Sequence, residues 1–177
     1  METDITTIFQ IEVLTTGTKT DVDKLAKLLL QNESHRISDD IYQSEHEDSR
    51  CPPNPMVDEI VNEISETVSS KSGVKISLDT RAGGDGYWAH IHQKNMSTNI
   101  HQHLPSLLSA VVYLAAPKGS GSIVFHPTGN MTDHYYWFPP EKRKILIFPS
   151  WLPHSVTRHK GDKPRVSLSL NFIDEKS

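Results

Sequence analysis

The sequence has a single cysteine, Cys51, and no run of apolar residues long enough to cross a membrane. A lone cysteine cannot form an internal disulfide, which favours a reducing compartment. The first residues, Met1 to Asp4, are polar and acidic, so a secretory leader is not expected. These absences predict a cytoplasmic protein without a membrane span.

An excess of positive charge is also missing, because the formal net charge is -4. Proteins that bind nucleic acid regardless of its sequence use basic surfaces. A nucleic-acid partner is therefore not expected, although Lys142-Arg143-Lys144 forms a short basic run. The length of 177 residues, with 36% hydrophobic and 23% charged residues, predicts one ordinary globular domain over residues 1–177.

Two stretches of the amino-terminal half have the apolar spacing of helices. Thr20 or Asp21 is placed to cap the first helix, whose apolar positions are Val22, Leu25, Leu28 and Leu29. For the second helix, Asn54 is a candidate N-cap, Pro55 suits the first helical position, and Gly73 allows a left-handed end. The apolar stripe of the second helix is Val57, Ile60, Val61, Ile64 and Val68. We expect both stripes to pack against a sheet.

Most of the remaining chain consists of short runs with strand character, separated by glycine, proline and asparagine. Many short strands at this spacing are typical of a sandwich or small barrel. We therefore predict a mainly β fold of the α+β type: an antiparallel double sheet of jelly-roll type (a double-stranded β-helix), with the two helices packed on its outside. The predicted strands are Ile8 to Leu14, Val74 to Leu78, Tyr87 to His92, Thr98 to His103, Leu107 to Ala115, Ser122 to Phe125, Lys144 to Phe148, His154 to Arg158 and Arg165 to Phe172.

Histidine is frequent, with ten in the chain and seven of them between His90 and His154. If Asn99 to His103 is an extended strand, His101 and His103 project from the same face. His154 begins a later strand-like run. Because imidazole is the most common metal ligand in proteins, this order supports the hypothesis of a metal site.

The last predicted strand alternates strictly between apolar and polar residues. Its polar face would lie either in solvent or towards the cavity that holds the histidines. In the second case an arginine and two serines, Arg165, Ser167 and Ser169, would lie where an anion binds, because a guanidinium matches a carboxylate in two hydrogen bonds and a neighbouring serine hydroxyl can add a third. The apolar face is Val166, Leu168, Leu170 and Phe172, and the polar face is Arg165, Ser167, Ser169 and Asn171.

Five separated motifs occur in a characteristic order. In that order they resemble the 2-oxoglutarate and iron(II)-dependent oxygenase superfamily, in particular a small bacterial and phage branch with the motifs H-x-H-P, S-G-V-Y-Y, F-P-S-x-x-x-H and R-x-S-x-x-x-N. The resemblance covers about Tyr87 to Phe172, so a catalytic core of residues 81–173 with a supporting part of residues 1–80 is expected. The motifs are His101-Gln102-His103, Leu107 to Leu114 with Pro117 and Gly119 beyond, Ile147 to His154, Arg165-Val166-Ser167 and Asn171-Phe172.

The resemblance implies that His101 and His154 bind iron(II) and that Arg165 and Ser167 hold the distal carboxylate of 2-oxoglutarate, the cosubstrate. It implies consumption of dioxygen, release of succinate and carbon dioxide, and hydroxylation of a substrate C–H bond. The substrate itself is not predicted, because specificity in such folds lies in loops without recognisable motifs.

The third metal ligand departs from the pattern of the superfamily, which places an aspartate two residues after the first histidine. This chain has His103 there. Three alternatives follow: His103 ligates the metal, a carboxylate such as Asp133 completes the site, or water occupies the position. In relatives with water the residue is small, and histidine is not small.

Other residues are expected near the site. Tyr113 and Asn99 are predicted to contact the cosubstrate or support the ligands. His90 and His92 form a second H-x-H pair, which the resemblance places along the pocket wall.

Two other classes of function compete with the oxygenase. A cupin-like three-histidine metalloenzyme also has an H-x-H motif, but it needs a glutamate a few residues later, and Leu104 to Leu108 contains none. It would also give Arg165 no role. A non-enzymatic jelly-roll module that binds a metal or ligand is the other alternative, and it has no reason to depend on 2-oxoglutarate.

Overall fold

The computed structural model describes residues 11–31, 51–81, 84–126 and 135–176. Within these residues the chain forms two helices and ten strands. In chain order they are β1 (Leu14–Gly17), α1 (Val22–Gln31), α2 (Pro55–Ser72), β2 (Ile76–Leu78), β3 (Tyr87–His92), β4 (Thr98–His101), β5 (Leu108–Ala115), β6 (Ile123–Phe125), β7 (Tyr136–Phe138), β8 (Lys144–Pro149), β9 (His154–Val156) and β10 (Arg165–Asp174).

Both predicted helices are confirmed, and capping residues define their ends. The carboxylate of Asp21 accepts a hydrogen bond from the backbone N–H of Lys24 at 3.1 Å. The Asn54 side chain accepts from the N–H of Met56 at 2.9 Å, and Gly73 closes α2 with a φ of 72°. Among the described residues, neither helix is long and apolar enough to cross a membrane.

The buried face of α1 differs from the prediction at one position. Leu28 is 42% exposed, whereas Ala26 is buried. Val22, Leu25, Ala26 and Leu29 follow the i, i+3, i+4, i+7 spacing of one helical face, and Leu28 lies beside that face.

The strands form two antiparallel sheets, which confirms the predicted double sheet. The larger sheet has the order β1-β8-β5-β10-β2, with β3 also paired to β10, and the smaller sheet has the order β4-β9-β6-β7. Strand β10 is central because it pairs with β5 along one edge and with β3 and then β2 along the other.

Two hydrophobic cores result from this arrangement. The outer core lies between the helices and the larger sheet, and it buries the apolar face of β10, including Leu168 and Phe172. The inner core includes residues of both sheets, among them Val111, Ile123 and Phe148. The helices therefore pack on the outside of the double sheet, as predicted, and the polar face of β10 is turned towards the space between the sheets.

The first predicted strand was wrong in position. Residues 11–13 are not in a strand, and residues 8–10 lie outside the described residues. The strand is instead Leu14–Gly17, where all four residues pair with β8. Pairing with a partner strand more than 100 positions away in the chain, and not local alternation alone, sets this boundary.

Strand β7 was not predicted. It is only three residues long, and proline follows it directly. The run Tyr135-Tyr136-Trp137-Phe138 has the aromatic content of a strand and was the available signal.

The junction before β6 allows little room for a side chain. A Cβ added at Gly121 would overlap the backbone carbonyl oxygen of Thr157, next to β9, the strand that pairs with β6. We expect Gly121→Ala to lower the free energy of unfolding by about 1–3 kcal/mol, the usual cost of overpacking. Urea denaturation measures it. Gly84→Ala is the control, since no atom of the described residues lies within 4 Å of its added Cβ. Equal midpoints for the two variants would contradict the expectation.

Candidate metal centre

Strand pairing brings two histidines together between the sheets. His101 is the last residue of β4 and pairs directly with His154, the first residue of β9. Directly opposed residues of antiparallel strands project from the same face. The two imidazole rings are 4.3 Å apart between centroids.

His103 reaches the same place by a different route from the one predicted. The expected strand to His103 is wrong at its end, because β4 stops at His101 and His103 lies in the following loop. Pro105 has no N–H to continue a ladder, and the β4–β9 register already shifts between Thr98 and His101. The backbone N–H of His103 instead donates to the carbonyl of Ser150 at 2.9 Å.

The three histidines form a group that could hold a metal ion. One ring nitrogen from each of His101, His103 and His154 lies within 4.8 Å of the others. The ring of His103 is 4.8 Å from that of His101 and 5.1 Å from that of His154.

Backbone carbonyls determine which ring nitrogens remain for a metal. Nδ1 of His101 donates to the carbonyl of Asn99 at 2.7 Å, and Nδ1 of His154 donates to that of Leu152 at 2.9 Å. A carbonyl only accepts, so both Nδ1 atoms carry the proton and Nε2 presents its lone pair. Burial, with the neighbouring His101 as a further cause, lowers the pKa of His154 to about 3, so its ring is neutral near pH 7.

A buried acidic group that the sequence analysis missed supports the loop of His103. The hydroxyl of Ser106 donates to Asp79 at 2.6 Å, while the N–H of Ser106 donates to the carbonyl of His103 at 3.0 Å. Arg81 donates to both oxygens of Asp79 at 2.8 Å. Hydrogen bonds from Arg81, and then from Ser106, hold the pKa of Asp79 well below its usual range against the opposing effect of burial.

Arg165 is buried deep in the space between the sheets, with 2% of its surface exposed. Its Nη1 donates to the carbonyl of Gly121 at 3.0 Å and its Nη2 to Nδ1 of His92 at 2.9 Å. Its Nε is buried without a hydrogen-bond partner among the described residues. Burial, partly offset by Tyr113, lowers the pKa of Arg165 to about 10, so the guanidinium is still charged near pH 7.

No carboxylate in the described part of the chain pairs with Arg165. The hydroxyl of Ser167, two residues along the same face of β10, is also buried and has no hydrogen-bond partner among those residues. Of the two alternatives for this face, the structure shows the inward one. An unpaired buried cation beside an unsatisfied hydroxyl is the chemistry of an anion site.

One cavity connects the arginine with the histidines, and the second H-x-H pair lies along its wall as predicted. His92 and His90 stand opposite Arg165 and Ser167 in the β3–β10 register. Nε2 of His90 accepts from Nε1 of Trp88 at 2.6 Å, and burial, followed by Arg165, lowers the pKa of His90 to about 3. The lining comprises Trp88, His90, His92, Thr98, His101, His103, Ser109, Ala110, Val111, Ile123, Phe148, His154, Val156, Arg165, Ser169, Leu170 and Asn171.

The remaining predicted residues differ in position. Tyr113 is buried opposite Ser167, and burial raises its pKa to about 12. The Asn99 residue is exposed and does not line the cavity, but its backbone carbonyl orients His101. Asp133, the alternative metal ligand, lies outside the described residues.

Comparison with known proteins gives a family match for the part of the chain that carries this site. Residues 86–171 match the family described as "Putative 2OG-Fe(II) oxygenase". No curated protein sequence matches the chain.

Solved structures with the same fold are distant in sequence. A Pseudomonas putida prolyl-4-hydroxylase is 14% identical with a TM-score of 0.62, and the match covers 92% of this chain and 88% of that one. A 2OG-Fe(II) oxygenase family oxidoreductase from Burkholderia pseudomallei is 16% identical with a TM-score of 0.56, over 70% of this chain and 61% of that one. The chain thus spans less than two thirds of the Burkholderia protein.

The epimerase SnoN, solved in complex with Fe3+, alpha ketoglutarate and nogalamycin RO, is 14% identical with a TM-score of 0.54, over 68% of this chain and 59% of that one. At such identities these likenesses establish the fold. They confirm the predicted jelly-roll class of the double sheet.

The cluster formed by Asp79, Arg81 and Ser106, which we call the Asp79 cluster, should stabilise the fold to an extent that depends on pH. Because the pKa of Asp79 is lower in the folded chain than its unfolded value near 3.9, the carboxylate stabilises the fold above about pH 4, and this stabilisation is lost as the pH falls. Asp79→Asn should lower the free energy of unfolding at pH 7 by about 1–3 kcal/mol, with a smaller difference at pH 3. Urea denaturation at both pH values measures it.

Asp162→Asn is the control for this effect. Asp162 pairs with Lys94 at 2.6 Å, but its side chain is 87% exposed. Asp162→Asn should therefore leave the free energy of unfolding nearly unchanged. A loss for Asp79→Asn that is equal at pH 7 and pH 3 would contradict the expectation.

Removal of one imidazole ring from the three-histidine group should weaken metal binding. We expect His103→Ala to weaken iron(II) binding at least about tenfold, because one nitrogen donor is lost. Anaerobic titration in competition with a chromogenic chelator measures the affinity. The control is His126→Ala, since His126 bonds to Ser155 and does not line the cavity. Unchanged affinity in His103→Ala would instead point to another third ligand, such as Asp133.

Proposed function

We propose that this protein, whose residues 86–171 match the family of 2OG-Fe(II) oxygenases, is such an oxygenase and hydroxylates a substrate with release of succinate and carbon dioxide. The observation that carries the proposal is Arg165, which is buried with no carboxylate partner in the described part of the chain and lies in the same cavity as the three histidines. A metal site alone fits many functions, whereas a metal site with an internal cation for an organic acid fits few.

The nitrogen donors suit iron(II). We assign the ligand set to His101, His103 and His154, because imidazole binds iron well and no aspartate or glutamate lines the described cavity. A set of three neutral imidazoles leaves the full charge of the ion uncompensated by the protein. An anionic cosubstrate would provide the compensating negative charge.

The anchor for the cosubstrate would be Arg165 and Ser167. Nε of Arg165 and the hydroxyl of Ser167 have no hydrogen-bond partner within the described residues. Both are donors on one face of β10, and a carboxylate accepts from both. Tyr113, opposite Ser167, packs its ring with the centroid 6.0 Å from the guanidinium carbon of Arg165.

Bound iron(II) and 2-oxoglutarate would supply oxidative chemistry in which dioxygen converts the cosubstrate to succinate and carbon dioxide and a substrate C–H becomes C–OH. The chain itself contributes binding, orientation and exclusion of water. Apolar side chains of Val111, Ile123, Phe148 and Val156 line the cavity beside the histidines. They keep the polar contacts in a medium of low dielectric, where each is stronger.

Hydroxylation is the most specific element of the proposed function. The prolyl-4-hydroxylase matches over most of both chains, and the epimerase shows that this fold also serves reactions that add no oxygen. Mass spectrometry of candidate substrates discriminates between them, since hydroxylation adds one oxygen atom and epimerisation adds none.

Access for the substrate is proposed at an open groove beside the metal group. His101 lines both the inner cavity and this groove, whose other residues are Ile100, Gln102, Leu104 and Pro153. A molecule in the groove would lie beside His101, one of the three proposed metal ligands.

The two competing classes of function differ from an oxygenase in their need for 2-oxoglutarate. A cupin-like enzyme or a simple metal-binding module would leave Arg165 without a ligand, at the full cost of a buried unpaired charge. Neither would need 2-oxoglutarate. Dependence of turnover on 2-oxoglutarate therefore separates both from the oxygenase.

Removing the guanidinium tests the assignment directly. Anaerobic addition of iron(II) and 2-oxoglutarate to the parent protein should produce the visible charge-transfer band of the chelate. Arg165→Ala should raise the dissociation constant for 2-oxoglutarate by about 30-fold or more, because the positive charge and its charge-assisted hydrogen bond from Nε are lost. Arg158→Ala, which removes an exposed arginine, is the control. Absence of the band in the parent, or an unweakened band in Arg165→Ala, would count against the proposal.

A further inference from the structure

The partner of Arg165 is a histidine where a carboxylate would be the common choice. Nη2 of Arg165 lies 2.9 Å from Nδ1 of His92, and Nε2 of His92 lies 2.9 Å from the hydroxyl of Thr98. Arg165 and Thr98 are buried, and His92 is 1% exposed. The three side chains form a hydrogen-bonded chain that runs from the larger sheet to the smaller one.

The donors and acceptors of this chain follow from elementary chemistry. A guanidinium can only donate, so Nδ1 of His92 must be the acceptor and carries no proton. The proton of the neutral ring is then on Nε2, and the Thr98 oxygen accepts it. Burial, followed by the charge of Arg165, lowers the pKa of His92, which agrees with a neutral ring.

A neutral acceptor has a different effect on an arginine from that of a carboxylate. Elsewhere in this chain Asp79 binds Arg81 with two hydrogen bonds at 2.8 Å, which compensates the charge of the guanidinium. His92 fixes one nitrogen of Arg165 in place but adds no negative charge. The guanidinium is oriented, and its charge is still available to a ligand.

We propose that His92, held as a neutral hydrogen-bond acceptor by Thr98, positions Arg165 and leaves its charge for the distal carboxylate of 2-oxoglutarate. The inference rests on the proposed function and assigns a role to the second H-x-H pair. His92 is a positioning residue, since it acts through Arg165. It sets the preference of the site for an oxo acid with a second carboxylate.

Two substitutions of His92, whose new side chains have nearly the same shape as each other, separate the effect of charge from that of hydrogen bonding. In His92→Asn the side-chain oxygen can replace Nδ1 as a neutral acceptor, whereas His92→Asp places a negative charge at the same position. The probes are 2-oxoglutarate and 2-oxopentanoate, which has the same five-carbon chain but no distal carboxylate. Each is titrated anaerobically into the full-length protein with iron(II), and the charge-transfer band gives the dissociation constant.

We expect His92→Asn to bind 2-oxoglutarate within about threefold of the parent and His92→Asp to bind it at least about 30-fold more weakly. The affinity for 2-oxopentanoate should be similar in all three proteins. Thr98→Val removes the acceptor for the Nε2 proton of His92. It should weaken the binding of 2-oxoglutarate by a smaller factor than His92→Asp does and leave the binding of 2-oxopentanoate unchanged.

The other outcomes are distinguishable. If His92→Asp and His92→Asn bind 2-oxoglutarate equally, the charge at this position is irrelevant and the inference is overturned, while the proposed function stands. If a variant loses both oxo acids in parallel, His92 only maintains the fold and the inference is again overturned. If the parent protein binds neither acid, the proposed function fails as well.

Discussion

The burial of one positive charge, that of Arg165, with no negative partner among the residues that the structure describes, constrains the rest of the fold. A buried guanidinium is costly unless its hydrogens are satisfied. Arg165 stands on β10 of the larger sheet, and its neighbours come from β3 and from the backbone just before β6 of the smaller sheet. The contacts that make the charge tolerable therefore join the two sheets, and they leave Nε open. The fold and the proposed anion site therefore depend on the same set of interactions.

The metal group depends on a different kind of support. His101 and His154 are placed by strand pairing, so their relative position is as firm as the smaller sheet. His103 follows the end of β4 and depends on its loop, which Ser150 holds from one side and Asp79, through Ser106, from the other. A ligand on a loop needs such anchors, because the ladder that orders a strand is absent. The Asp79 cluster is consequently part of the site although it does not line the cavity.

Local patterns in the sequence were sufficient for the caps of both helices, for the set of polar residues that share one face of β10, and for the order of the histidines. Contacts between residues that are far apart in the chain could not be predicted from local sequence patterns. The contacts of Arg165 with Gly121 and His92 span 44 and 73 positions, and the bond from Ser106 to Asp79 spans 27. His103 was selected for the correct group by strand periodicity, although a loop places it there. Alternation within one strand shows which side chains share a face, but only the partner strands show what that face meets.

The dimensions of the cavity separate the roles of its two ends. Arg165 and Asn171 are six positions apart on β10, which corresponds to about 20 Å at the usual rise per residue. A five-carbon dicarboxylate anchored at Arg165 is much shorter than this distance. At the far end Ser109 donates to the amide oxygen of Asn171 at 2.8 Å, which turns the amide nitrogen, a donor, away from Ser109. On the proposed function, the Arg165 end selects the cosubstrate, and discrimination among substrates falls to residues near Asn171 and to the groove beside His101.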